Sequence, residues 1–288
     1  MTIILATGIA TGCVYALVGV GFSLIYRTTG IVNFAQGVFV ALGGMAAFWF
    51  LEVLQLPYPV ALLIALALTI VAGLLLWLLV VLPIWSRRSD QISVMMACLV
   101  VAGLVTILLQ KWLGTQPRTL PEWLPGVRVD LPGGSITGQY AIMIVATVAL
   151  VIGVGALLQF TTIGRAMRAC AASRETSALL GISPEWIGAL AMAATAGLGG
   201  LGGILIAPAQ YTSTDATTYG IFGFVAAVLG GFGTLRGPLV GGILVGVLQA
   251  LVGRYLSAEY ETVMVFVLLL VLLTVRPRGL LGSEWAAH

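Results

Sequence analysis

The side chains that most often carry out chemistry in proteins are scarce in this sequence. It contains one histidine, His288, and one lysine, Lys111. Neither a Ser/His catalytic pair nor a multi-histidine metal site can be built around a single histidine. A phosphate-binding P-loop requires G-x-x-x-x-G-K followed by Ser or Thr, whereas Lys111 follows Leu-Leu-Gln. The sequence therefore predicts a chain that is not an enzyme and binds no metal, ATP or other cofactor itself.

The cysteines and carboxylates do not form a recognisable site either. Cys13, Cys98 and Cys170 lie in or beside apolar runs without C-x-x-C spacing, which predicts neither a disulfide framework nor a thiolate metal cage. The ten acidic residues fall near the ends of apolar segments or in loops. Ion-coupled carriers usually place carboxylates or histidines inside the membrane, so proton coupling has no obvious carrier in this chain.

The composition indicates which solvent surrounds the protein. Of the 288 residues, 60% are hydrophobic and only 8% are charged, and the mean hydropathy is +1.12. Soluble domains carry about 25% charged residues, so most of this surface must face lipid. The formal net charge of +3 therefore does not predict a nucleic-acid partner.

Apolar segments long enough to cross a hydrocarbon core of ~30 Å predict an all-α fold, a polytopic integral membrane helix bundle with about eight to nine transmembrane or re-entrant segments. The first segment lacks a preceding basic region, which favours a membrane span over a signal peptide. The two segments around 235–237 are short and glycine-rich, so they form either a tight hairpin or a re-entrant element. The second segment could also enter only partway. The candidates are 3–26, 31–51, 58–82, 92–110, 139–160, 186–207, 219–235, 237–253 and 262–275.

The distribution of basic residues predicts the orientation of this single domain, 1–288. With the N-terminus in the periplasm, nine arginines lie on the cytoplasmic side and four basic residues lie outside, the asymmetry that the positive-inside rule expects. The C-terminus is then cytoplasmic, and the four-proline segment 111–138 is a folded periplasmic loop. The cytoplasmic set is Arg27, Arg87, Arg88, Arg165, Arg168, Arg174, Arg236, Arg276 and Arg278, and the outer set is Lys111, Arg118, Arg128 and Arg254.

The longest cytoplasmic loop, 161–185, has the pattern of short amphipathic helices. Arg165, Arg168 and Ala172 share one helical face by their spacing, and Gly181 is a helix stop before Pro184. A protruding helix of this kind can dock into a groove on a partner. The alternative is a positively charged loop that rests at the lipid headgroups.

This loop resembles the coupling-helix region of permeases from ATP-binding-cassette (ABC) importers of the branched-chain amino acid (LivH) type. The matching motifs are G-R-A-M-R-A at 164–169 and an R-E-x-x-x-L-x-G-I element at 174–182, where Thr176 and Ser177 replace the usual alanines. The substitutions suggest slightly looser packing in the docking groove. Three more blocks resemble the same family, at 15–37, 226–238 and 276–282.

The resemblance implies one subunit of a heteromeric importer in the bacterial inner membrane. Its implied partners are a paralogous second permease, two cytoplasmic ATPases that carry ATP and Mg²⁺, a periplasmic binding protein, and membrane lipid. Transport would proceed by alternating access. The residues implied to engage the ATPases are Gly164, Arg165, Arg168, Arg174, Glu175, Ala178, Leu180 and Gly181. Branched-chain amino acids are the expected cargo. Urea, short amides and aromatic acids are alternatives, and a stand-alone channel or secondary carrier is the competing class.

Two further groups of residues are candidates for the transport path. Asn33, Phe34, Gln36 and Gly37 open the second segment, where they either line the path or form hydrogen bonds between helices. In an outer loop, Tyr211, Thr214 and Asp215 could meet the ammonium group of a zwitterionic substrate or the binding protein, unless the loop is simply solvated. The glycine clusters at 199–203, 230–233 and 241–242 indicate either close helix packing or hinges in discontinuous helices.

Overall fold

The computed structural model describes residues 1–87, 90–131, 134–214, 217–257, 259–276 and 279–282, and it has a helix at each of the nine predicted segments. The helices are α1 (Thr2–Thr29), α2 (Gln36–Phe48) with a π-helical turn at Trp49–Val53, α3 (Tyr58–Leu76) with a π-helical turn at Trp77–Val81, α4 (Leu82–Ser86), α5 (Gln91–Leu113), α6 (Gly138–Phe160), α7 (Thr162–Ala172), α8 (Arg174–Leu179), α9 (Pro184–Ile206), α10 (Thr217–Gly230), α11 (Gly237–Tyr255) and α12 (Tyr260–Val275).

Seven continuous helical stretches of the described chain are long and apolar enough to cross a membrane. The all-α membrane bundle predicted from the sequence is therefore confirmed. Helix α12 has 16 residues and α10 has 14, which at about 1.5 Å per residue is shorter than a full crossing. The predicted segment 219–235 was too long at its end. Helix α10 stops at Gly230 because Gly231 and Gly233 adopt positive φ angles of 111° and 83°.

Helix α1 lies at the centre of the bundle, where it packs against α11, α9, α10 and α6. The contact with α11 is made by backbone. A Cβ atom on Gly12 would lie 2.5 Å from the carbonyl oxygen of Gly242, and one on Gly8 would lie 2.9 Å from that of Gly246. Glycines allow this approach because lipid supplies little hydrophobic drive for helices to associate. For the glycine cluster at 241–242, the structure thus shows close helix packing at Gly242.

The periphery of the bundle is apolar and exposed. Helix α5 buries only Val94 and Cys98, while Val100 and Ile107 on its other faces are exposed. An apolar surface of this extent is typical of a chain surrounded by lipid.

The two ends of α1 carry different structures. Its first turns lie beside a two-stranded antiparallel sheet, β1 (Arg128–Leu131) and β2 (Gly134–Thr137), in which Arg128 pairs with Thr137. We call this the hairpin end; the sequence did not predict these strands. At the other end of α1, α7 packs against the helix, and we call this the α7–α8 end. The predicted periplasmic loop, 111–138, thus contains the hairpin, and the predicted coupling loop, 161–185, contains α7 and α8.

Candidate functional site

A polar cavity of about 560 Å³ opens at the hairpin end of the bundle. Residues from α1, α6, α10, α11, α12 and the 207–214 segment line it. Hydroxyl and amide groups dominate its walls, and Glu261 is the one charged group among the described residues that line it. The polar lining residues are Thr7, Thr11, Tyr15, Tyr140, Gln210, Tyr211, Ser213, Thr218, Tyr219, Gln249, Glu261 and Thr262.

Glu261 lies in the first turn of α12, and its carboxylate rests against the backbone of α11 at Gly253. A Cβ atom on Gly253 would overlap Oε1 of Glu261, so the glycine leaves room for the carboxylate. Glu261 is only partly exposed. An anionic oxygen in this position, beside hydroxyl groups, can accept hydrogen bonds from a cationic group of a ligand.

Tyr15 gives the cavity a buried aromatic wall. Its ring lies 6.2 Å from that of Tyr219 and 5.2 Å from that of Phe222, centroid to centroid. The Tyr15 hydroxyl meets the side chain of Gln249 on α11. The cavity therefore combines an apolar surface with polar groups at fixed positions, the combination found in sites that bind small amphipathic molecules.

The 207–214 segment is held over the cavity by hydrogen bonds. Gln210 Nε2 donates to Thr11 Oγ1 at 2.9 Å. The backbone of Thr212 pairs with that of Arg118 through N–H···O bonds of 2.7 and 2.8 Å. Of the residues predicted for substrate contact, exposed Tyr211 lines the cavity. Thr214 is buried and its hydroxyl donates to the Gly114 carbonyl at 3.3 Å. Asp215 lies outside the described residues.

Asn33 and Gln36, predicted at the opening of the second segment, lie deep between helices. Asn33 Nδ2 donates to Met192 Sδ at 3.3 Å, and Gln36 Nε2 donates to the Thr195 carbonyl at 3.0 Å. Both side chains are completely buried. Oε1 of Gln36 is buried without a hydrogen-bond partner, so one polar atom in the interior of the bundle still has the capacity to accept a hydrogen bond.

The other two predicted residues, Phe34 and Gly37, pack against α10. Phe34 is 36% exposed and its ring lies 5.6 Å from that of Phe224. Gly37 lies close to Gly220, on which a Cβ atom would be 2.8 Å from the Gly37 Cα. The structure thus separates the four residues into an inward-facing pair and a pair packed against α10, and a path-lining role stays a prediction.

Helix α7 at the other end of α1 has the amphipathic character predicted from its sequence. Arg165, Arg168 and Ala172 are exposed, whereas Met167 and Cys170 on the other face are buried. Thr161 caps the helix, since its side chain accepts a hydrogen bond from the Gly164 backbone at 3.1 Å. The Gly164 position is packed so closely against the Leu158 backbone that a Cβ atom would overlap it.

Helix α8 follows after one extended residue, Ser173, which caps it by accepting from Thr176 N at 3.2 Å. The chain then turns at Gly181, where φ is +81°, which confirms the predicted helix stop. At this turn Leu179 is 87% exposed and Leu180 is 74% exposed. Ala178 and Glu175 are also exposed. The turn thus presents two adjacent leucines outside the bundle, the kind of apolar tip that fits a groove on a partner.

Arg174 attaches this turn to the rest of the bundle. Its Nη2 donates to the carbonyl oxygen of Thr29, at the end of α1. Its guanidinium carbon lies 4.0 Å from the centre of the Trp85 ring, a cation–π contact. Arg174 was predicted to engage an ATPase; its guanidinium contacts α1 and α4, and the ATPase contact stays a prediction.

Ser177, where the family motif usually has alanine, faces the bundle and not the surface. It is buried and forms a hydrogen bond with the thiol of Cys170. Burial raises the pKa of the Cys170 thiol, while that hydrogen bond and the positive charge of Arg174 lower it in part. The substitution therefore affects contacts inside the α7–α8 pair.

Known proteins resemble this chain over nearly all of its length. A family model described as "Branched-chain amino acid transport system / permease component" matches residues 4–274. The high-affinity branched-chain amino acid transport system permease protein LivH of Salmonella typhimurium is 28% identical, in an alignment that covers 96% of this chain and 93% of that protein. The BraD permease protein of Pseudomonas aeruginosa is 27% identical, in an alignment that covers 96% of this chain and 94% of that protein. No solved structure matches the chain significantly.

Proposed function

Because this chain belongs to the family of permease components of branched-chain amino acid transport systems, we propose that it is the membrane-spanning subunit of an ABC importer. Its cargo would be branched-chain or related hydrophobic amino acids, moved from periplasm to cytoplasm across a bacterial inner membrane by alternating access. We also propose that the chain forms eight to nine spanning or re-entrant segments, with its N-terminus in the periplasm and its C-terminus in the cytoplasm.

One observation carries this proposal. The polar cavity and the exposed α7–α8 turn lie at opposite ends of the same buried helix, α1. Thr7 lines the cavity and Thr29 accepts the hydrogen bond from Arg174. The two residues are 22 positions apart, about 33 Å along a helix at 1.5 Å per residue. A movement of α8 can therefore be transmitted to the cavity through one rigid element, helix α1.

The charge of the cavity favours a cargo that carries an ammonium group. Glu261 carries the one carboxyl group among the described lining residues and faces hydroxyl groups, and no cationic side chain is among those residues. An aromatic carboxylate would be repelled there, whereas the ammonium of leucine or valine would be attracted. The aromatic wall at Tyr15 suits an aliphatic side chain. Urea and short amides remain the alternative cargo, since they are neutral and hydrogen-bond well.

The partners follow from the surfaces at the two ends. The exposed leucines at 179 and 180 would enter grooves on cytoplasmic ATPase subunits, which would hold ATP and Mg²⁺. Arg165 and Glu175 would lie beside that contact and fix its register, whereas Arg168 donates to the Leu158 carbonyl at the end of α6. A periplasmic binding protein would deliver cargo at the hairpin end, and a paralogous second permease would complete the path within the lipid bilayer.

The test is uptake into proteoliposomes that contain the co-expressed complex and its binding protein. We expect ATP-dependent uptake of radiolabelled leucine or valine, abolished by Glu175→Arg. Uptake of only urea or benzoate would agree with the importer assignment and contradict the cargo assignment. Uptake that does not depend on ATP would overturn the importer assignment itself.

A further inference from the structure

A second cavity, of about 840 Å³, lies at the α7–α8 end of the bundle, separate from the polar cavity. Its walls come from α1, α6, α7 and α11. We call it the α6–α11 groove. Val148, Ile152 and Val240 line it and are themselves exposed, so the groove opens onto the apolar outer surface of the bundle and not into the interior.

The two ends of the groove differ in chemistry. Along α6 it runs from Val148 to Phe160, twelve residues or about 18 Å. Three arginines line it at one end, where α1 finishes, α7 passes and α11 begins; they are Arg27, Arg168 and Arg236. All three are exposed, and no acidic side chain is among the described residues that line the groove. The result is an apolar channel that ends in a concentrated positive charge.

These dimensions match one leaflet of a bilayer. Half of a hydrocarbon core of ~30 Å is about 15 Å, close to the length of the apolar walls. The arginines then lie at the depth of the lipid headgroups. Guanidinium groups bind phosphate oxygens through paired, charge-assisted hydrogen bonds, and basic pockets between spanning helices are known to hold anionic headgroups.

We propose that the α6–α11 groove binds an anionic phospholipid, with its phosphate between Arg27, Arg168 and Arg236 and an acyl chain along α6. A helix of another subunit is a poorer occupant, because it would bury three arginines that have no described carboxylate beside them in the groove. The bound lipid would touch α7, the helix that precedes the proposed ATPase contact. The proposal does not depend on which substrate the complex transports.

The test measures lipid retained by the purified complex in native mass spectrometry, after exposure to equal amounts of phosphatidylglycerol and phosphatidylcholine. We expect the wild type to retain phosphatidylglycerol preferentially. The double variant Arg27→Gln/Arg236→Gln should lower that preference about 30-fold, equivalent to about 2 kcal/mol. Arg87→Gln is the matched control, since Arg87 is exposed and does not line the groove; it should leave the preference unchanged.

A second pair of variants tests the apolar walls without altering charge. Gly155 lines the groove, and a Cβ atom there meets nothing within 4 Å, so Gly155→Trp should fold and fill the channel. It should reduce retention of both lipids. Gly153 has the same open surroundings but does not line the groove, so Gly153→Trp should retain lipid as the wild type does.

Four results would overturn the proposal. The first is a wild type without preference for phosphatidylglycerol, and the second is an equal loss in Arg87→Gln. The third is displacement of phosphatidylglycerol by excess inorganic phosphate, together with normal lipid retention in Gly155→Trp. This pair of results would mean that the arginines bind a free anion. The fourth is a crosslink from benzoylphenylalanine at position 152 to the second permease instead of to lipid, which would make the groove a subunit interface.

Discussion

Replacing Glu261 by glutamine removes the negative charge of the polar cavity while preserving the size of the side chain. Glu261 lines the cavity, and its Oε1 lies beside Gly253. A hydrogen bond to a charged acceptor contributes about 1.5–3 kcal/mol, against about 0.5–1.5 kcal/mol for a neutral one. The difference of about 1–1.5 kcal/mol corresponds to a rise of about tenfold in KM for leucine uptake.

The assay is competitive uptake in proteoliposomes, in which leucine competes with 4-methylpentanoate, the same molecule without its amino group. The wild-type cavity should discriminate strongly against the acid that lacks the ammonium, and Glu261→Gln should lose most of that discrimination. Glu259→Gln is the matched control, because Glu259 is exposed two residues earlier and does not line the cavity. Gly253→Ala should mimic the loss without changing charge, since its methyl group would displace the carboxylate.

An unchanged KM and unchanged discrimination in Glu261→Gln would refute the reasoning. An equal effect in Glu259→Gln would refute it too, because the response would then reflect the general surface charge. A loss of uptake with normal KM would assign Glu261 to a later step of transport and would contradict its role in recognition.

Three further predictions concern other parts of the bundle. Gly12→Val should lower stability by about 1–3 kcal/mol, because its Cβ would meet a carbonyl oxygen of α11 at 2.5 Å; fluorescence-detected thermal unfolding in detergent would show this, and Gly153→Val, in open space, should be near neutral. Glu175→Arg should weaken copurification of the ATPase subunits, whereas Glu185→Arg, one helix further on, should not; equal recovery of ATPase with both would contradict the docking site. Cys170 should react slowly with maleimide at neutral pH and faster as the pH rises, because burial covers its thiol and raises its pKa; fast labelling at pH 7 would contradict this.

The positions of the helices could be predicted because lipid imposes a simple rule. A spanning segment must be long, apolar and hydrogen-bonded within itself, so each of the nine apolar runs forms a helix. A local signal was also effective in the α7–α8 loop, where the predicted helix stop at Gly181 was confirmed. The caps at Thr161 and Ser173 were not predicted. The resemblance to branched-chain amino acid permeases, drawn from separate motifs, is confirmed by the family match over residues 4–274.

The polar cavity could not be predicted in the same way. Thr11, Gln249 and Glu261 are far apart in the sequence, and each alone looks like an isolated polar residue near an apolar run. Only the packing of α11 against both α1 and α12 brings them together. Tyr211 could be predicted because it lies in a polar loop, whereas Glu261 looks like any of several carboxylates at a segment end. The sequence also could not predict that the Arg174 side chain turns toward α1 and α4. Residue spacing on a six-residue helix does not tell which side of the helix faces the bundle.

The seam of glycines between α1 and α11 has a mechanical consequence. Helices that pack through side chains interlock, so a shift along the axis requires ridges to climb out of grooves. Gly8 and Gly12 against Gly246 and Gly242 present nearly bare backbone to each other, and few such ridges oppose sliding. Small shear displacements of this kind are a recognised mode of conformational change. A slip of α1 by a fraction of a turn would carry Thr11 past Gln249, and the cavity would change shape while every helix stays intact.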